Sequence, residues 1–318
     1  MAKKRGFDFL RFIRTIGAIF GMLISLMIFT FVLLIFVSTI SWFVGEPLTL
    51  TGNVAHIPIK GPISTSSMSS IMSPTGTKSS TIVKWIQDAE KNDNIKAIWL
   101  DIDSPGGTPV GTVEIADAVK KAKKPTIAVI HELGNSGAYW IASSADTIFA
   151  NRLSTVGSIG VRSSYLEFSG LLTDYNVTYE RLVAGKFKDM TTPYKQMTPE
   201  ERTLIQSKLD RLHEIFINEV ARNRKLDVDH VQKLANGYVY MGFEAEELGL
   251  IDELGTTEDA KQFLEKELNL TVSFKKFQEK TGFFEAVIET MNDASYKIGQ
   301  GMGSVMLGST EYEVDFSF

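Results

Sequence analysis

The sequence begins with one long apolar stretch and continues with a body in which short apolar runs alternate with amphipathic segments. Residues 15–45 contain no charged side chain. In the body, residues 95–102 and 126–131 are largely apolar, which is typical of strands buried on both faces of a parallel sheet. Residues 54–59 and 145–150 indicate two further short strands.

Helical periodicity occupies the segments between and after these strands. Residues 82–91, 110–121 and 137–144 predict three helices, and residues 228–234, 243–248 and 257–268 predict shorter ones. A longer helix is predicted to begin near Thr198, because Thr198, Pro199 and Glu201 combine an N-cap threonine, a first-turn proline and a capping-box glutamate. The alternation of strands and helices predicts an α/β architecture with parallel pairing.

The apolar stretch at residues 15–45 predicts an uncleaved transmembrane anchor. A helix needs about 20 apolar residues to cross the hydrocarbon core, and this stretch exceeds the apolar region of a cleaved signal peptide. Basic residues precede it and Glu46 follows it, so the positive-inside rule places the N-terminus in the cytoplasm. We therefore expect a cytoplasmic tail (1–14), a single-pass anchor in the lipid of the cell membrane (15–45), an extracytoplasmic domain (46–276) with a flexible Ser/Thr-rich loop (64–81), and a C-terminal extension (277–318).

Composition removes several classes of function. The 318 residues include no cysteine, which excludes disulfides, thiolate metal sites and cysteine nucleophiles. The net charge is −5 and the excess of basic residues lies before the anchor, so the body is acidic and we expect no nucleic-acid partner. A serine nucleophile paired with a histidine would have to draw on the four histidines of the chain, His56, His131, His213 and His230.

Two glycine-rich turns carry the candidate chemistry. Residues 103–107 (DSPGG) and 134–140 (GNSGAYW) each follow a predicted buried strand, at the edge of an α/β sheet where ligands bind. The second turn places Ser136 at the start of a helix, and backbone N–H groups of the two turns, with Gly107 in the first, would form an oxyanion hole for acyl transfer. The alternative is that Ser136 only caps its helix.

The base for such a serine stays open at this point. His131 lies on the strand that leads to Ser136, and no acidic residue is obviously placed to orient it. Lys186 and Lys188 are the other candidates, since a lysine becomes a base when desolvation or a nearby cation lowers its pKa. Either lysine alone is equally typical of a solvated loop.

Taken together, these segments resemble the signal peptide peptidase A family of membrane-bound serine proteases, which shares a superfamily with the Clp protease subunit and the crotonases. The resemblance covers residues 54–254. It rests on the two turns and on residues 154–161 (STVGSIGV), 185–189 (GKFKD) with Pro193, 235–240 (ANGYVY) and 245–254 (AEELGLIDEL), in that order behind an anchor.

The resemblance implies a Clp protease/crotonase-like fold of stacked parallel strands and helices. It makes Ser136 the nucleophile, Lys188 the general base, Ser158 the residue that orients the lysine, and the N–H groups of Gly107 and Gly137 the oxyanion hole. It implies a mechanism without metal or cofactor, and a rate that rises toward alkaline pH because the neutral amine is the base. Its implied partners are extended peptides, chiefly apolar remnants of cleaved signal peptides, and seven further copies in a homo-octamer.

Three alternatives stay open at the level of sequence. A crotonase-like acyl-CoA enzyme would use the same oxyanion N–H groups without a serine nucleophile. An inactive membrane scaffold would keep only the fold. A dedicated processing or immunity protease would cut one peptide with the same residues.

Overall fold

The computed structural model describes residues 22–33, 35, 52–65 and 76–278. Residues 22–33 are helical (α1) and belong to the predicted anchor, most of which lies outside the described residues. Within the described ranges, no helix combines the length and the apolar character needed to cross a membrane. The chain divides into two compact units, Met1–Leu50 and Thr51–Phe318, and the second contains the candidate chemistry.

The second unit is built on a largely parallel sheet of eight strands. Its main path runs β10-β1-β4-β5-β6-β9, β7 also pairs with β5, and β8 pairs with β7 as the antiparallel member. A separate parallel pair joins β2 and β3. The strands are β1 (Val54–Lys60), β2 (Ile63–Ser64), β3 (Thr77–Lys78), β4 (Ala97–Ser104), β5 (Thr126–Asn135), β6 (Thr147–Ala150), β7 (Thr155–Gly157), β8 (Val239–Met241), β9 (Glu253–Leu254) and β10 (Phe274–Lys276).

Helices connect the parallel strands, as the alternating pattern predicts. The capping box of α6 is present as predicted: Thr198 accepts from the N–H of Glu201, and the Glu201 carboxylate accepts from the N–H of Thr198. The helices are α2 (Ser79–Lys91), α3 (Pro109–Lys121), α4 (Gly137–Ser143), α5 (Ser169–Asp174), α6 (Pro199–Arg224), α7 (Val228–Leu234), α8 (Gly242–Glu247) and α9 (Thr257–Leu268). This mixed α/β architecture fits the expected Clp protease/crotonase-like fold.

The two faces of the sheet differ in how they are covered. Side chains alternate along each strand, so Ile98, Leu100 and Ile102 of β4 pack in the larger core together with α2, α3, α4 and α6. Trp99 faces the other side, where α9 supplies Ala260 and Leu264 to a smaller cluster. Asp101 follows Trp99 on that smaller face, where polar groups replace the apolar cluster.

Two predicted boundaries shift. In the Ser/Thr-rich segment 64–81, Ser64 ends β2, Thr77–Lys78 form β3 and Ser79 begins α2, whereas residues 66–75 lie outside the described residues. At the C-terminal boundary, the N–H of Phe277 donates to the carbonyl of His56 and its ring packs against Trp85, so the body continues through residue 277. The rest of the C-terminal extension, residues 279–318, is not described.

One long segment, residues 161–198, lies almost entirely outside the core, and we call it the exposed arm. Its only helix, α5, buries no residue. Apolar side chains of the arm stand in solvent, including Leu182, which is 94% exposed, and Leu166 and Tyr175. An exposed apolar surface of this extent is typical of a surface that contacts another molecule.

Candidate active site

The two glycine-rich turns meet at the carboxyl ends of neighbouring strands. β4 and β5 pair in parallel from Ile98↔Thr126 to Ser104↔Gly134, so the loop after β4 and the turn after β5 emerge side by side. The Ser104 hydroxyl donates to the Gly61 carbonyl at 2.6 Å and accepts from the Gly106 N–H at 3.1 Å, which fixes the first loop. The two turns therefore lie on adjacent strands.

Ser136 occupies a strained turn between β5 and α4. Its φ of 52° lies in a region that non-glycine residues seldom adopt, at a cost of about 1–3 kcal/mol. Its N–H donates to Gly157 at 2.7 Å and its carbonyl accepts from Trp140 at 3.0 Å. The hydroxyl forms no capping hydrogen bond, so the alternative that Ser136 serves only as a helix cap is not what the geometry supports. The turn is also shorter than predicted, because Gly134 belongs to β5.

Two backbone N–H groups lie beside Ser136 because two glycines permit close packing. A Cβ on Gly107 would overlap the carbonyl of Ile63, and a Cβ on Gly137 would overlap the hydroxyl of Thr112. The Gly107 nitrogen lies 3.3 Å from the point where a Gly137 Cβ would stand, so the two backbones are neighbours. Among the described residues, neither N–H has a hydrogen-bond acceptor. The pair therefore presents two donors of the kind that stabilise an oxyanion.

Ser158 occupies on β7 the place that Ser136 occupies on β5. Asn135 of β5 is paired with Gly157 of β7, and each of these strand ends is followed by a serine with positive φ, which is 50° for Ser158. The Ser158 N–H donates to the Tyr238 carbonyl at 2.8 Å, and its hydroxyl donates to the Gly237 carbonyl at 3.4 Å. The fold thus brings together Ser136, Ser158, Gly107 and Gly137.

Lys188 is the one predicted residue that does not join this group within the single chain. It lies in the exposed arm, and no hydrogen bond or ion pair of its amine occurs in the described part of the molecule. Lys186 differs, because its amine pairs with the Glu200 carboxylate at 2.6 Å and lies 5.1 Å from the centre of the Phe187 ring. Asp189 pairs with Arg181 at 2.7 Å, so the charges around Lys188 are already engaged with one another.

Comparison with known proteins finds similarity to peptidases. The sequence profile of peptidase family S49 matches residues 118–271, which include Ser136, Ser158 and Lys188. A Methanocaldococcus jannaschii protein, provisionally named a protease, is 34% identical over 231 residues, which are 71% of this chain and 73% of that protein. An Enterococcus faecium protein, provisionally named signal peptide peptidase SppA, is 34% identical over 69% of this chain and 64% of its own length. Protease 4 of Haemophilus influenzae is 28% identical over 59% of this chain and 31% of its own length.

The chain belongs to the signal peptide peptidase A family, peptidase family S49. It is a serine peptidase. The comparisons therefore support a peptidase and not the alternative of a crotonase-like acyl-CoA enzyme.

Sequence reasoning missed the acidic partner of His131. The Asp101 carboxylate, on the neighbouring strand, accepts a hydrogen bond from His131 Nε2, so the expectation that no acid orients this histidine is wrong. That hydrogen bond raises the pKa of His131 against the opposing effect of burial. Burial opposes ionisation of Asp101, but the hydrogen bond from His131 and the charges of His56 and Lys60 lower its pKa overall. Positions 101 and 131 lie on adjacent strands and face the same side of the sheet, which is a signal that could have found the pair.

His131 is nevertheless not placed to serve Ser136 as a base. Four residues, 132–135, separate them, and even with the irregular pairing at 131–133 the two backbone positions are roughly 10 Å apart. A general base must approach the hydroxyl to about 3 Å. The His131 ring is also directed onto the sheet face that holds Asp101. This histidine base is therefore excluded by geometry, and a lysine remains as the candidate.

We expect the His131→Gln substitution to destabilise the full-length chain more at about pH 5.5 than at about pH 9. The folded-state pKa of His131 is raised above 6.5, so its charge stabilises the fold fully below pH 6.5 and this contribution is lost as the pH rises through the raised pKa. The pKa of Asp101 is lowered from 3.8, so its contribution is present above pH 3.8 and is lost only as the pH falls through the lowered pKa. Both charges are therefore present at the lower pH.

Thermal unfolding of the wild-type and variant proteins at the two pH values measures this difference. Because His131 is partly in water, we expect the difference to stay below about 1 kcal/mol. His56, whose pKa is lowered by burial, is present in both proteins, so the comparison reports the change made at position 131. Equal destabilisation at the two pH values would show that the pair is not coupled through charge.

Proposed function

We propose that this serine peptidase is a membrane-anchored endopeptidase that uses Ser136 as its nucleophile and Lys188 as its general base. The observation that carries the proposal is the conformation of Ser136. This residue lies on a strained turn, its hydroxyl does not cap the helix, and two unpaired glycine N–H groups lie beside it. Strained residues persist where the surrounding structure fixes them, and they cluster at active sites.

The proposed chemistry is that of a serine nucleophile with a lysine base. The Ser136 oxygen forms a bond to a peptide carbonyl carbon while its proton passes to the neutral Lys188 amine. The N–H groups of Gly107 and Gly137 stabilise the oxyanion. The carbon–nitrogen bond then breaks as the Lys188 ammonium returns the proton to the leaving amine, and water releases the acyl group by the reverse sequence. Ser158 positions the amine in this scheme.

Lys188 requires a change of surroundings to act as a base. A lysine in water is protonated at neutral pH and has no lone pair to accept a proton. The exposed arm that carries Lys188 also displays apolar side chains that no described part of the chain covers, Leu166, Tyr175 and Leu182 among them. We propose that other copies of the chain cover the arm in a homo-oligomer, with an octamer as the expected size, and that this desolvates Lys188 against a serine of a neighbouring copy.

The proposed substrates are extended peptides at the outer face of the cell membrane. Support comes from the Enterococcus relative, which is named a signal peptide peptidase, and from the uncharged stretch at residues 15–45, which would hold the enzyme in the lipid where signal-peptide remnants remain. The same residues would also serve a dedicated processing or immunity protease, and the sequence of the substrate distinguishes the two.

Labelling with a fluorophosphonate probe tests this proposal. The full-length chain in detergent is treated beside Ser136→Ala and Lys188→Ala, peptide mapping locates the adduct, and light scattering reports the assembly. We expect an adduct on Ser136 of the assembled wild-type protein and none in either variant. An assembled wild-type protein without an adduct would overturn the assignment of Ser136. An adduct on Ser136 of a fully monomeric protein would overturn the requirement for assembly.

A further inference from the structure

β5 contains a bulge three residues before it reaches the nucleophile turn. β4 and β5 stay in register through Ile102↔Ile130 and resume at Ser104↔Gly134, so β5 uses four residues where β4 uses two. The extra residues lie within 131–133. At this point β5 also changes its second partner, because it leaves β6 at Ile130↔Ala150 and joins β7 at Leu133↔Thr155.

The polar backbone groups of the bulge are held by side chains of the flanking strands. The Leu133 N–H donates to Asp103 Oδ1 at 3.2 Å. On the other side, the Glu132 carbonyl accepts from the Thr155 hydroxyl at 3.2 Å, and the His131 carbonyl accepts from the Ser154 hydroxyl. A bulge interrupts the regular ladder, so these side chains replace the backbone partners that it loses.

Asp101 ties the first residue of the bulge to the regular strand beside it. Its carboxylate is almost fully buried and accepts a hydrogen bond from His131 Nε2. His56 Nε2 lies 3.8 Å from Oδ1, and the Lys60 amine lies 3.4 Å from Oδ2. A buried carboxylate is costly without such partners, so the position of the His131 side chain relative to β4 is strongly constrained.

We infer that Asp101 and His131 are positioning residues for Ser136, because together they hold the bulge that sets where β5 ends. This inference rests on the proposed role of Ser136. Loss of the two-residue bulge would displace the strand end by roughly 6–7 Å, and even partial loosening moves Ser136 relative to the Gly107 and Gly137 donors. A displacement of about 1 Å at a reacting group lowers the rate by roughly a hundredfold.

Steady-state kinetics of the full-length, assembled protein test the inference with four variants. His131→Leu removes the donor to Asp101, and we expect kcat and the rate of fluorophosphonate labelling to fall by roughly tenfold to a hundredfold, with KM within about twofold. His131→Gln keeps an N–H donor near the position of Nε2 and is expected to recover most of the lost rate. Asp103→Ala releases Leu133 from the other end of the bulge and is expected to lower kcat as well.

Lys60→Ala is the matched control, since it removes a charge from the same carboxylate without touching the bulge. We expect its kcat to stay within about twofold of the wild type. If His131 had a purely structural role, His131→Leu would lower the unfolding temperature without changing kcat per labelled site, or His131→Gln would not recover the lost rate. A folded His131→Leu protein with unchanged kcat would therefore overturn the inference.

Two further outcomes keep the test decisive. If His131→Leu does not fold, the other two variants decide. Near-wild-type kcat in His131→Gln together with a lowered kcat in Asp103→Ala supports the inference, and an unchanged kcat in Asp103→Ala overturns it. If the wild-type protein itself carries no adduct on Ser136, the proposed function fails first. Wild-type labelling on Ser136 with equal labelling of His131→Leu removes this inference alone.

Discussion

Replacement of Ser136 by alanine is expected to lower kcat for an apolar fluorogenic peptide by at least about 10⁴-fold. The substitution removes the oxygen that forms the acyl bond, and the two residues that flank it, Asn135 and Gly137, offer no nucleophile in its place. The remaining oxyanion donors can stabilise attack by water only weakly. The measurement is a progress curve on the assembled, full-length protein, with active sites counted by fluorophosphonate labelling of the wild type.

Ser144→Ala is the matched control for this substitution. Ser144 lies at the other end of α4 and its hydroxyl donates to the Trp140 carbonyl at 3.0 Å. Its loss should cost about 0.5–1.5 kcal/mol of stability and leave kcat unchanged. Alanine at position 136 also relieves no backbone strain, since its φ preferences match those of serine. A Ser136→Ala protein that keeps more than a few per cent of kcat would transfer the nucleophile to another residue, with Ser158 as the first to test.

The fold was predictable because hydrophobic periodicity is local. The strand at 126–131 and the helix at 257–268 are predicted by the spacing of apolar residues that face the core. The structure has α9 at the predicted bounds, Thr257–Leu268. The end of β5 was not predictable in the same way. His131, Glu132 and Gly134 break the apolar pattern, so the pattern ended at His131 while the strand continues to Asn135 by pairing with β7.

The residues of the candidate site also differ in whether the sequence alone could predict them. Ser136, Gly107 and Gly137 could be proposed from sequence because turn residues at the ends of parallel strands meet at one edge. The Asp101–His131 pair could be proposed only with the strand order and the register in hand, because the shared facing of positions 101 and 131 becomes a signal once β4 and β5 are known to be neighbours. The strain at Ser136 was also hidden, since a positive φ at a serine is imposed by the hydrogen bonds of Gly157 and Trp140 and not by the serine itself.

Replacement of Lys188 by alanine is expected to lower kcat by about 10²–10⁴-fold while Lys186→Ala stays within about twofold of the wild type. The two lysines are two positions apart on the same exposed arm, so they share side-chain length, charge and exposure to solvent. They differ in their ion pairs, because the Lys186 amine is paired with Glu200, whereas the Lys188 amine has no partner among the described residues. Kinetics of both variants at equal assembly, checked by light scattering, give the comparison.

Lys188→Arg separates a base from a simple positive charge. Arginine keeps the charge at every accessible pH but has no neutral form to accept the Ser136 proton, so we expect it to be as inactive as the alanine variant. In the wild type the rate should rise toward alkaline pH, because only the neutral amine accepts a proton. An active arginine variant, or a wild-type rate that is already flat from about pH 6, would mean that Lys188 acts through its charge and that the base must be sought elsewhere, starting with Lys186.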